Sequence, residues 1–196
     1  MNPHAIDPSR YVWVIPAVWL AWMIYWRVSS FGTRTTVRRE SVGSRVSHIV
    51  PLIVGAFLIG VPQSSGHWAT LQWVHWSPVL YWSGVGLLGG GLGFTVWARV
   101  HLGRNWSGTV TLKEGHELIR SGPYGWVRHP IYTGLLVALL GCAIARGAVG
   151  SLIGVAICVA ALIRKLRIEE RWMGERFGAE YTSYSNTTAA LLPLLF

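Results

Sequence analysis

The chain has 196 residues, 52% of them hydrophobic, and a mean hydropathy of +0.39. That is one unit's length with too much apolar content for an ordinary soluble domain. Seventeen Lys and Arg stand against eight Asp and Glu, a net charge of +9. In a soluble chain this excess would point to nucleic acid. Here the basic residues flank long apolar runs, as cytoplasmic loops of membrane proteins do. The twelve Trp residues suit interfacial belts, so no nucleic-acid partner is expected.

Five apolar segments are predicted in chain order: about Tyr11 to Val28, Val46 to Val61, Val79 to Val100, Ile131 to about Ala145, and Ala148 to Ile163. A full span takes about 20 residues, so the second, fourth and fifth are short. Arg146-Gly147 makes the last two a tight helical hairpin. The first has neither a basic n-region nor a small-residue cleavage site and reads as a retained anchor. In the third segment Gly86/Gly90 and Gly89/Gly93 have small-xxx-small spacing, as do Gly150/Gly154 in the fifth. These read as close helix packing in lipid, because no strand precedes them to build a phosphate loop. Cys142 and Cys158 sit inside apolar runs and read as small core residues, with no disulfide. No segment alternates with strand period, and no repeat is evident.

Charge sets the expected orientation. Arg27, Arg34, Arg38, Arg39 and Arg45 follow the first segment; Arg99, Arg104, Lys113, Arg120 and Arg128 follow the third. Arg164, Lys165, Arg167, Arg171 and Arg176 lie in the tail, which leaves only Arg10 and Arg146 opposite. Five spans with an outside N-terminus put all three clusters in the cytoplasm. The connector from Pro62 to Pro78 has no Lys or Arg and carries Trp68, Trp73 and Trp76, as an outer interface would. His48 and His75 read as interfacial residues.

Past the fifth segment, Arg164 to Phe177 reads as a helix emerging into the cytoplasm, with a stripe of Leu166, Trp172, Met173 and Phe177 and a stop at Gly178. Lys165/Glu169 and Arg171/Glu175 fall at i,i+4. Tyr181 and Tyr184 follow, then an apolar end from Leu191 to Phe196 suited to packing against the interface.

Between the third and fourth segments runs a polar, aromatic stretch of about thirty residues, far beyond an ordinary connection. Arg128-His129-Pro130 stands where the fourth segment begins, and Pro130 there leaves first-turn N–H groups free for an anion. Tyr124, Trp126 and Tyr132 offer aromatic faces to a sulfonium or quaternary ammonium. Glu169 and Glu170 are adjacent acids at the membrane edge, costly there unless paired or liganded. Two readings stay open from the residues alone. Arg128 and His129 either hold a ligand or anchor a helix end to headgroups; Glu169-Glu170 either meets a cationic ligand or forms a solvated charge pair. The spacing of His101, His116 and His129 fits no familiar zinc pattern, so no metal is expected. The residues thus indicate a cytoplasm-facing pocket for a polar cofactor at the membrane.

His116-Glu117-Leu118-Ile119, Ser121-Gly122-Pro123-Tyr124 and Arg128-His129-Pro130-Ile131-Tyr132-Thr133-Gly134, followed by Glu169-Glu170, Phe177-Gly178, Tyr181 and Tyr184, closely resemble the isoprenylcysteine carboxyl methyltransferase family. Phospholipid N-methyltransferases are more distant relatives. The resemblance covers roughly residues 99–185. It implies an all-α integral membrane methyltransferase of about five transmembrane helices, with a cytosolic cofactor-binding loop and a C-terminal helix, that uses S-adenosylmethionine. It divides a single membrane domain, 1–196, into a three-helix part (1–100) and the methyltransferase signature region (101–196). The family's cofactor contacts fall on His116, Glu117, Leu118, Ile119, Tyr124, His129, Pro130, Ile131, Tyr132 and Glu169. Lys165, four residues before Glu169, stands where the family has a substrate-contacting Arg; it keeps the charge without the bidentate fork. Lys165 and Glu169 are therefore the expected catalytic pair.

The expected acceptor is lipophilic or lipidated, foremost an isoprenylcysteine-like carboxylate, met among membrane lipids. The alternatives are a phospholipid or a small amine or thiol, and, outside methyl transfer, an NADPH-dependent sterol-type membrane reductase. Those reductases usually follow the equivalent of Gly134 with an acid, and Leu135 stands there instead.

Overall fold

The computed structural model describes residues 11–31, 36–61, 66, 68–103, 106, 111–113 and 118–193. Among the described residues six α-helices make the body: α1 (Val14–Ser29), α2 (Val42–Gly60), α3 (Pro78–Leu102), α4 (Pro130–Arg146), α5 (Val149–Phe177) and α6 (Ala179–Thr187). By length and composition α2, α3 and α5 can cross a membrane, and α1 and α4 are shorter apolar helices. Each of the five expected segments is a helix. The fifth does not stop at Ile163. It runs unbroken through the charged stretch to Phe177, 29 residues in all, or about 43 Å at helical rise. That exceeds a hydrocarbon core of about 30 Å, so the charged end of the same helix stands clear of the bilayer.

Two elements lie outside the sequence expectation. β1 (Thr36–Arg39) and β2 (Thr111–Lys113) pair antiparallel, a ribbon too short to carry a strand period. The other is the glycine contact. Gly86, Gly89, Gly90 and Gly93 face outward with nothing near them, so the small-xxx-small pairs expected in α3 are not its packing face. That face is Gly84 and Gly91, two turns apart. A Cβ on Gly84 would lie 2.4 Å from the Gly141 carbonyl, and one on Gly91 2.5 Å from that of Gly134. Backbone thus meets backbone along α3 and α4, with Leu88, Leu92, Ala138 and Cys142 buried beside it. The α5 expectation holds differently: Gly154 meets Gly55 of α2, whereas Gly150 meets Ala69 in the connector.

The helices alternate in direction, so two ends can be distinguished. At one, Gly147 (φ 62°) closes the α4–α5 hairpin. There Trp73 N–H donates to Gly147 O at 2.9 Å and Val149 N–H to Leu71 O at 2.8 Å. Tyr81 donates to Tyr11 O, and a cavity of about 620 Å³ lined by Trp19, Ile59, Tyr81, Cys142 and Arg146 opens nearby. At the other end the ribbon, the starts of α2 and α4, the ends of α1, α3 and α5, and α6 come together. Arg99, stacked 4.6 Å over Trp106, ties α3 to α1 through the Ser29 carbonyl.

Candidate functional site

The signature stretch is docked on α3 before it enters α4. Gly122 has φ 58°, a left-handed backbone that favours glycine, and a Cβ there would lie 2.7 Å from the exposed His101 ring, which would have to shift. His101 Nε2 and Ser121 Oγ are 2.8 Å apart. The following turn buries Pro123 and Tyr124. Tyr184 of α6 donates to Tyr124 O at 2.6 Å. Burial, reinforced by the charge of Glu169, pushes the Tyr124 phenol well above its ordinary range, so it is a neutral donor at physiological pH.

The segment after α6 straps this turn in place. Val127 bridges Ala189 in parallel, Arg128 N–H donates to Ala189 O at 2.8 Å and His129 N–H to Ala190 O at 3.0 Å. Thr133 Oγ1 adds a bond to Leu191 O at 2.7 Å. The chain from 188 to 191 thus lies along the start of α4. Arg128 completes the strap. Its Nε and Nη2 lie 2.8 and 2.7 Å from Glu170 Oε1, and Nη1 donates to Ser185 O and Thr188 O. It is a structural clamp between α5 and α6, not a headgroup anchor.

One turn of α4 and one of α5 then meet. Tyr132 donates to Glu169 Oε1 at 2.6 Å, and Lys165 Nζ lies 3.9 Å from the same oxygen. Lys165 also sits 5.3 Å over the Tyr132 ring. His129 stacks on Tyr132, centroids 5.4 Å apart at 4°. Its Nδ1 is 3.6 Å from Glu169 Oε2 and its Nε2 3.4 Å from Glu170 Oε1. Burial pulls the His129 pKa down, but the two carboxylates outweigh it and leave the net shift upward. No side chain caps the start of α4, so its first-turn N–H groups have no side-chain acceptor.

The structure therefore brings His129, Tyr132, Lys165 and Glu169 into direct contact, with Tyr124 within electrostatic reach. Pro130 is buried, and Ile131 packs against the Tyr132–Leu162–Leu166 cluster beneath. Leu118 and Ile119 are half-buried just before Arg120. His116 and Glu117 lie outside the described residues. Sequence reasoning missed Glu40 and His48. His48 is 2% exposed, not interfacial, and its Nε2 lies 3.5 Å from buried Glu40. The acid and imidazole eight residues apart, two turns along a helix start, were the available signal.

Half-buried carboxylates, stacked rings and an uncapped helix start suit a small polar ligand carrying both positive and negative charge. A polytopic helical membrane protein with such a site at one end of its bundle is the class these features define. Residues 86–175, just under half of the chain, match the sequence model of the isoprenylcysteine carboxyl methyltransferase (ICMT) family. It is 30% identical over 87 residues to the protein-S-isoprenylcysteine O-methyltransferase of Saccharomyces cerevisiae, which covers 43% of this chain and 36% of that protein. It is 26% identical over 149 residues to the cobalt-zinc-cadmium resistance protein CzcN of Cupriavidus metallidurans, covering 75% of this chain and 61% of that one. Its fold is similar to the eukaryotic intramembrane Ras methyltransferase ICMT, with TM-score 0.51 and 22% identity over 81% of this chain and 55% of that chain. The chain thus spans less than two thirds of each of these relatives.

Proposed function

We propose that this protein is an integral-membrane methyltransferase that takes a methyl group from S-adenosylmethionine and gives it to a lipophilic acceptor. The observation that carries the reading is the contact of His129, Tyr132 and Lys165 with one carboxylate, Glu169, inside the region that matches the family. Glu169 is the partner for the donor's ammonium group, with Tyr132 and His129 holding the Glu169 carboxylate in place. His116, Glu117, Leu118, Ile119, Tyr124, Pro130 and Ile131 complete the donor site by their place in the resemblance.

When bound, the donor supplies an electrophilic methyl on a sulfonium. What remains for the protein is to align the nucleophile with it and exclude water. Lys165, one turn before Glu169 and facing Tyr132, is placed to draw in an acceptor's charge. An ionised carboxylate needs no base, so an isoprenylcysteine-type acid is the first acceptor to assay. A site at the bilayer edge also solves supply: the donor arrives from water and the acceptor from lipid. Positive charge gathers at the site's end of the bundle, which therefore faces the cytoplasm with the start of α1 outside. A reporter fused to the C-terminus and active only after export would refute that orientation.

S-adenosylhomocysteine should stabilise the purified protein by about 2.7 kcal/mol at 100-fold its dissociation constant. Glu169→Ala and Tyr132→Ala should each weaken this. Undiminished stabilisation in both variants would place the donor elsewhere.

A further inference from the structure

A second buried polar pair comes from the half of the chain outside the matched region and lies within electrostatic reach of Lys165 and Glu169. Glu40, in the turn between β1 and α2, and His48, in α2, are 6% and 2% exposed. His48 Nε2 is 3.5 Å from Glu40 Oε1, and Ser44 Oγ donates to Glu40 Oε2 at 2.9 Å. The other ring nitrogen, Nδ1, is buried and has no hydrogen-bond partner among the described residues. A buried nitrogen left unmet is uncommon and calls for an explanation.

Its placement supplies one. Arg164 of α5 donates to Ser47 at 2.6 Å, and Leu52 packs against Tyr132, Leu162 and Leu166. His48 lies between those two contacts on α2. The charges of Lys165, Glu169 and Arg164 on α5 bear on it, together with Glu40 on its own side. A carboxylate 3.5 Å from Nε2 favours the proton on that nitrogen, which leaves the lone pair on Nδ1. That is the arrangement by which a carboxylate orients an imidazole to accept a proton from a nucleophile. A carboxylate acceptor has no use for it. A thiol, mostly protonated at neutral pH, does. Lys165 agrees with this: a point charge, without the planar fork that selects carboxylates, can stabilise a thiolate as it forms.

We propose that His48, oriented by Glu40, is a general base that extends this site to lipophilic thiols. The inference rests on the methyl-transfer reading above. The thiol proton passes to His48 Nδ1 as the acceptor sulfur bonds to the methyl carbon. The bond from that carbon to the donor sulfonium breaks, its electron pair staying on the donor sulfur as a neutral thioether. The imidazolium, balanced by Glu40, then returns its proton to water. The products are a methyl thioether and S-adenosylhomocysteine, and no redox partner is needed.

The test uses the full-length protein in detergent, with an isoprenyl thiol and an isoprenylcysteine carboxylate assayed separately at saturating S-adenosylmethionine. The native protein should methylate the thiol. General-base catalysis contributes about 100-fold or more, so His48→Gln should lower the ratio of thiol to carboxylate turnover by about that factor. It should also abolish the rise of thiol kcat/KM with pH. Glu40→Gln, which keeps the imidazole, should lower the same ratio less. Independently of turnover, nitrogen-15 shifts of His48 in donor-free protein should show Nε2 protonated and Nδ1 bare. Native protein that binds S-adenosylhomocysteine but leaves the thiol unmethylated would overturn the proposal. So would an unchanged ratio in a folded His48→Gln variant, or a protonated Nδ1. Failure of the native protein to bind S-adenosylhomocysteine would instead sink the methyl-donor reading itself.

Discussion

Adjacent glycines in α3 should respond to alanine with opposite signs. A Cβ on Gly91 would lie 2.5 Å from Gly134 O and 2.7 Å from Ala138 N, whereas one on Gly90 meets nothing within 4 Å. Ordinary contact begins near 3.4 Å, so Gly91→Ala asks two helix backbones to separate by about 0.9 Å. Neither obstacle is the end of a flexible side chain, and this overpacking should cost about 3 kcal/mol, the upper part of its usual range. Alanine's better helix propensity returns about 1 kcal/mol at either position. Gly91→Ala should therefore destabilise by about 2 kcal/mol and Gly90→Ala stabilise by up to about 1 kcal/mol. Denaturant titration of each purified variant in one detergent, followed by helix content, reads the difference. Equal effects, or a larger loss at Gly90, would refute the assignment of Gly84 and Gly91 as the face that sets the height of α4 and hence of Tyr132.

Arg128→Met should destabilise by about 2 kcal/mol, less than a fully buried pair would because Glu170 remains one quarter exposed. Thermal unfolding in detergent checks this, and a loss below about 0.5 kcal/mol would mean that the strap holds without the clamp. His129 gives a pH signature. Because its folded pKa is raised above the ordinary 6.5 by Glu169 and Glu170, against the pull of burial, the folded protein holds this proton more tightly than the unfolded chain does. Its stabilisation is complete below 6.5 and is lost as pH rises through the folded value. Melting temperature should fall over that rise in the native protein and less so in His129→Asn; parallel profiles would contradict the coupling.

Much of this molecule is legible in its sequence because lipid leaves few choices. Apolar runs bounded by Arg clusters give the helices, and the boundaries move only by a few residues where caps such as Ser41 and Ser77 begin a helix. The signature stretch is legible through residues whose roles are local: Gly122 for its backbone, Pro130 for its place at a helix start. What sequence does not reveal is which side of a helix meets which neighbour. Both Gly86/Gly90 and Gly84/Gly91 suit close packing, and only the partner positions Gly134 and Gly141 decide between them. The same limit hides His48. A histidine near a basic loop reads as interfacial until the antiparallel pairing of α2 with α5 buries it beside Glu40. The ribbon is equally silent, since β1 and β2 are separated by two helices and take their pairing from each other.

Calorimetric titration of the detergent-purified protein with S-adenosylhomocysteine and with NADPH, in parallel with Glu169→Ala, tests the central claim most directly. The account predicts saturable binding of S-adenosylhomocysteine at one site per chain, weakened in Glu169→Ala, and no binding of NADPH. Saturable binding of NADPH without binding of S-adenosylhomocysteine would contradict it.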